Sequence, residues 1–120
     1  MKTIRVKFSP EAEEVYDYLN KEAGRAKGKS LEIQILKAVN KKVELIKANF
    51  HYGEPIAKSK IPQKWKDKYD ITNLFWVELP HFWRMLYSLT DGETEIEIIA
   101  FVVNILDHKE YDKLFGYKSK

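Results

Sequence analysis

Three side chains in the C-terminal part of this sequence combine a permanent cation, a proton carrier and an aromatic alcohol. Arg84 stands inside the apolar run Phe82-Trp83-Arg84-Met85-Leu86-Tyr87, and His108 and Tyr111 belong to Asp107-His108-Lys109-Glu110-Tyr111. A planar guanidinium grips two oxygens of a phosphate at once. An imidazole gives or takes a proton near neutral pH. Each residue also has a plainer reading. Arg84 can pair with Glu78 or Glu97 across a sheet. His108 can simply begin a helix behind Asp107, a good N-cap. The ring of Tyr111, three residues on and on the same helix face, either stacks on a nucleobase or closes the core.

A second group lies upstream. Lys58-Ser59-Lys60 and Gln63-Lys64-Trp65-Lys66 mix cations with one indole. That mixture suits contact with a polyanion, with Lys58, Lys60 and Lys64 on phosphates and Trp65 stacked on a base. The competing reading has Trp65 and Ile61 pinning the segment to the core while the lysines face water. Metal chemistry has no foothold, because His51, His81 and His108 lack ligand spacing and there is no cysteine. Phosphate-binding glycine loops and a serine nucleophile elbow are equally missing, so neither cofactor nor metal is expected.

The elements that must position these groups are legible from periodicity. Ile4, Val6 and Phe8 alternate with Arg5 and Lys7, the period of a half-buried strand. Ser9-Pro10 supplies an N-cap and a first helical residue, and Ala12, Val15, Tyr16 and Leu19 form the apolar stripe of the helix that follows. A basic connector, Gly24 to Gly28, leads to a second helix, with Ser30 as cap candidate and Ile35, Val39, Val43 and Ile46 recurring every three or four residues. The short link predicts an antiparallel helical hairpin. Gly53, Pro55 and Pro62 break the segment from His51 to Ile71, with one or two helical turns expected after Pro62. Strands are then predicted over Asn73 to Leu79, Phe82 to Leu89 and Thr94 to Leu106, joined by Pro80-His81 and by Asp91-Gly92. A short helix begins at His108. The order β-α-α-β-β-β plus a terminal helix reads as α+β, an antiparallel sheet with the helical hairpin on one face and the other face open as a groove.

At 120 residues this is a single-domain length, so one domain spanning 1–120 is expected. No apolar run reaches the roughly 20 residues of a membrane span, and the first residues lack the apolar core of a signal peptide. With no cysteine, a soluble cytoplasmic protein is expected. Abundant Lys, Glu and Ile hint at a thermophilic source. Net charge is only +3, but its distribution is uneven. Eight Lys/Arg against three Glu lie between Lys21 and Lys47, whereas Glu78, Asp91, Glu93, Glu95 and Glu97 make the last hairpin acidic.

The string Phe82-Trp83-Arg84-Met85-Leu86-Tyr87, then Asp91-Gly92, then Glu97-Ile98-Ile99-Ala100-Phe101, then the His108-x-x-Tyr111 ending, resembles the toxins of the RelE/ParE superfamily. The element order is similar to that family's fold. The resemblance implies a toxin of a toxin–antitoxin module, with a cognate antitoxin as protein partner and mRNA on the ribosome as target. RelE-like members cleave mRNA without metal, the ribose 2′-oxygen attacking the adjacent phosphate. By motif position, Arg84 would stabilise the phosphate, and His108 and Tyr111 would supply proton transfer or stacking. Lys58, Lys60 and Lys64 match no family motif and enter on charge alone. In one respect the chain departs from the pattern, since the strand from Thr94 to Leu106 carries no basic residue. Two other functions therefore stay open, a ParE-like inhibitor of a protein such as a topoisomerase and a plain RNA-binding domain.

Overall fold

The computed structural model describes residues 3–25, 30–92 and 97–116. Its elements are β1 (Thr3–Phe8), α1 (Pro10–Ala23), α2 (Ser30–Ala48), β2 (Glu54–Pro55), α3 (Gln63–Tyr69), β3 (Phe75–Glu78), β4 (Arg84–Asp91), β5 (Glu97–Leu106) and α4 (His108–Phe115), with 3-10 turns at Lys58–Lys60 and Pro80–Phe82. The architecture is α+β. Its one sheet has the order β1-β5-β4-β3-β2. The chain's connector 26–29, the Ser30 side chain and the acidic residues Glu93 and Glu95 lie outside the described residues.

The sheet is mixed, which corrects the expected antiparallel one. The pairs β2–β3, β3–β4 and β4–β5 are antiparallel, but β1 lies parallel to β5, Thr3 opposite Glu97 and Phe8 opposite Val102. Short connections force antiparallel neighbours. The first strand is joined to its partner through nearly the whole chain, so no loop length dictates its direction. The β4–β5 pairing shifts between Leu86 and Tyr87, where Val103 of β5 is the extra residue of a bulge.

Those two faces build two cores. On one, Ala12 and Leu19 of α1 and Ile35, Val39 and Ile46 of α2 pack against Met85, Tyr87, Ala100, Val102 and Ile105. Ser9 fixes the start of α1: its Oγ accepts the Ala12 amide at 3.0 Å and donates to the Val103 carbonyl at 2.6 Å. The opposite face is not open. It carries a second core of Ile61, Trp65, Ile71, Leu74, Leu86, Val103, Leu106 and Tyr111, roofed by α3 and α4. The groove expected there is filled because the irregular segment folds back and spends its aromatic residue on the sheet. Removing a side chain the size of Trp65 from water stabilises the fold by several kcal/mol, on the order of 25 cal/mol per Å².

Tyr87 ties the end of α2 to the sheet. Fully buried and stacked on Phe75, it donates its hydroxyl to the Phe50 carbonyl and accepts the Gly53 amide, both at 2.9 Å. Burial pushes the hydroxyl's pKa up, and the Gly53 hydrogen bond only partly offsets this. Among the described residues no helix is long and apolar enough to cross a membrane.

Candidate functional site

The predicted site residues scatter between core and surface. Trp65 is completely buried, its ring edge-on to Phe115, so it has no face to offer a base. Tyr111 is 8% exposed and belongs to the same core. Both stacking roles are corrected by one fact: in a domain this small, the face opposite the α1–α2 layer needs large side chains to exclude water. Lys58, Lys60 and Lys64 are exposed. Lys64 lines a cleft with Glu11, Glu110 and Lys113, a mixed-charge setting and not a basic one.

Arg84 and Tyr111 are brought together. β4 directs Arg84 onto the α4 face, beside Leu86 and opposite Leu106 of β5. Its guanidinium carbon lies 4.5 Å from the centre of the Trp76 ring and 5.1 Å from that of Tyr111. Each such contact contributes about 0.5–2 kcal/mol, more as water is excluded. The side chain is half-buried, and its Nε and Nη1 have neither solvent contact nor a hydrogen-bond partner. An unsatisfied buried donor costs about 1–3 kcal/mol, so the aromatic shelves offset a standing penalty. Of the two expected ion pairs, the one with Glu78 is not made, although Glu78 is directly opposite Arg84 in register; the Glu97 side chain lies outside the described residues, and its backbone starts β5 at the far end from Leu106. The result is a positive group held by rings and without a counter-charge among the described residues.

His108 is exposed at the first position of α4. That helix starts in a capping box: the Asp107 carboxylate accepts the Glu110 amide at 2.8 Å, and the Glu110 carboxylate accepts the Asp107 amide at 3.4 Å. The cap thereby fixes where His108 leaves the sheet. Its imidazole meets the ring of Phe82 edge-on, with centroids 6.2 Å apart. Phe82 is a residue that sequence reasoning passed over. It is 68% exposed, and it and His81 both have positive φ, 65° and 60°. Left-handed backbone at such residues costs on the order of 1–3 kcal/mol each. Trp76, the shelf beneath Arg84, was likewise read only as a strand residue. Its signal was its place two residues before Glu78, on the face that meets Arg84.

A cleft of about 440 Å³ runs along Asn104–Leu106 beyond the end of β1, with Glu11, Glu14 and Glu110 on its walls. Glu11 is structural: it accepts from Lys68 at 3.1 Å, Tyr69 at 3.0 Å and Asn104 at 3.3 Å, linking α1 to α3 and β5. The hydrogen bond from Lys68 to Glu11 is also the chief reason that this ammonium titrates above the usual lysine range. No group of three or more acidic or histidine side chains among the described residues is arranged to hold a metal ion. Searches against family models, curated proteins and solved structures return no match for this chain.

Proposed function

We propose that the chain acts on single-stranded RNA at the end of the sheet where Arg84, Phe82 and His108 lie, as an endoribonuclease toxin of the RelE/ParE kind held in check by an antitoxin. The observation that carries this reading is the uncompensated guanidinium of Arg84. A fold selected only for stability would place an apolar side chain or an ion pair there, since an unpaired buried cation is a net cost. A phosphate reaching Nη2, the guanidinium nitrogen not among the buried pair, would supply the missing counter-charge. In cleavage, the ribose 2′-oxygen attacks the adjacent phosphorus and the bond to the 5′-oxygen breaks. Arg84 would stabilise the added negative charge, and His108, exposed beside Phe82, would carry a proton. Tyr111 keeps a role only through its ring, as the shelf under Arg84.

The test is incubation of the purified protein with ribosomes carrying an mRNA. Cleavage that leaves 2′,3′-cyclic phosphate ends and falls about a hundredfold in Arg84→Ala is expected. Intact mRNA with the unaltered protein overturns the reading.

One observation favours a second reading. With Tyr111 buried, His108 is the only one of the two proton carriers in the His-x-x-Tyr pair left at the surface. A non-catalytic binder, of RNA or of a protein such as a topoisomerase, fits that shortage. Arrested growth with intact mRNA would select it.

A further inference from the structure

The turn between β3 and β4 bears two costs at once. Two successive residues other than glycine, His81 and Phe82, adopt left-handed backbone, and the second places a large apolar ring in water. His81 puts its angle to internal use, its Nε2 lying 2.8 Å from Gln34 Oε1 of α2, but Phe82 belongs to neither core. An exposed ring on left-handed backbone that the interior does not use points to a ligand.

The surroundings identify what kind. On one side of the Phe82 ring stands His108, with Arg84 two residues along the chain. Phe82 also borders a cavity of about 460 Å³ lined by Leu79, by Lys41 and Lys42 of α2 and by one carboxylate, that of Glu78. An exposed ring with an arginine two residues on and a lysine-walled cavity beside it matches a nucleic-acid strand, which presents flat bases and a charged backbone alternately.

Resting on the RNA reading above, we propose that Phe82 is the base-stacking residue of a single-stranded RNA path that turns around the end of the sheet. One phosphate of that path is met by Arg84, and the next nucleotide enters the cavity walled by Lys41 and Lys42. The strained turn holds the ring out between the two phosphate sites, so that a base bends over it.

The experiment measures affinity for a ten-nucleotide unstructured RNA and for the same length of abasic ribose-phosphate, across a salt series. Phe82→Ala is expected to weaken binding of the RNA about tenfold and to leave the abasic strand unchanged, since stacking needs a base. Phe82→Trp is expected to restore or tighten it. Lys41→Gln with Lys42→Gln is expected to lower the slope of log affinity against log salt by about 0.7, the value for one phosphate of a single strand, for both strands. Equal binding by Phe82→Ala and the unaltered protein overturns the proposal, as does an equal loss for both strands, which marks a structural effect. If Arg84→Ala abolishes RNA binding while Phe82→Ala does not, this inference alone fails. If the unaltered protein binds neither strand, the RNA reading fails and this proposal with it.

Discussion

Arg84 and Glu78 are register partners across β4 and β3, yet the guanidinium makes no salt bridge with the carboxylate and lies over the Trp76 ring at 4.5 Å. Cross-strand neighbours of opposite charge ordinarily pair. Here the cation is kept by two aromatic faces and its buried Nε and Nη1 are left unbonded. On the RNA reading proposed above, a phosphate would have to meet the guanidinium at Nη2, the nitrogen that is not one of this buried pair.

Arg84→Met tests that directly. It fills much the same volume and removes the unbonded donors, at the loss of two cation–π contacts. Stability is expected to stay level or rise by about 1 kcal/mol, as when buried charges give way to apolar groups. RNA affinity and any cleavage are expected to collapse. Thermal unfolding and binding, measured on the same preparation, check both halves.

Tyr111 separates chemistry from support. Tyr111→Phe keeps the ring beneath Arg84 and is expected to retain activity to within a few-fold. Tyr111→Ala removes a buried ring of the second core and is expected to cost about 3 kcal/mol. A large activity loss in the Phe variant would instead assign the hydroxyl a direct part, read as a fall in kcat with folding intact.

Trp65→Ala is expected to destabilise by about 3–5 kcal/mol, the range for emptying a buried aromatic site. The salt dependence of RNA binding by the folded fraction is expected to be unchanged, since the ring is inaccessible. Chemical denaturation and a salt titration give the two numbers.

Tyr87 predicts an alkaline limit. Its folded pKa is raised above the ordinary 10.0, mainly by burial, so the native state holds the proton more tightly than the unfolded chain does. The stability this provides is full below pH 10 and is lost as pH climbs through the folded value. Tyr87→Phe is expected to flatten that alkaline decline. At neutral pH it should cost about 1–3 kcal/mol, because the Gly53 amide and Phe50 carbonyl lose their partner. Urea denaturation at pH 7 and at pH 10.5 compares the two.

Gly53→Ala probes the same joint from the other side. An added methyl would stand 2.9 Å from the Trp76 carbonyl oxygen and 2.9 Å from Cε1 of Tyr87. Backbone on one side and a locked ring on the other leave little room to give. A loss of about 1–3 kcal/mol is expected, read as a lower unfolding midpoint.

The elements were legible where the signal is local. The Ser9-Pro10 cap, the stripes of α1 and α2, the β4–β5 hairpin and the helix beginning at His108 follow from caps and periodicity, and all appear. The turns after Pro62 appear as α3. What sequence could not supply was non-local: the parallel docking of β1, the two-residue β2, and the folding of the Ile61–Ile71 segment over the second face. That last event puts Trp65 in the core, the second of the two readings its sequence left open. At the site, the aligned face of β4 correctly set Arg84 beside Leu86, but its aromatic shelves come from β3 and α4 and needed the register to be seen. Phe82 escaped notice because its exposure depends on backbone angles that no residue type in the turn advertises; a glycine or asparagine would have signalled them.

The pairing of β1 with β5 has a consequence for assembly. The Ser9 hydroxyl reaches the Val103 carbonyl across 94 positions, and Thr3 lies beside Glu97. Such distant partners make for slow, late-closing folding, since a large loop must be shut before any reward is collected. A truncated chain ending before residue 97 would leave the opening strand with no neighbour and Arg84 with no roof. Closure of the first strand onto the last is thus the step on which completion of the core under α1 and α2 waits.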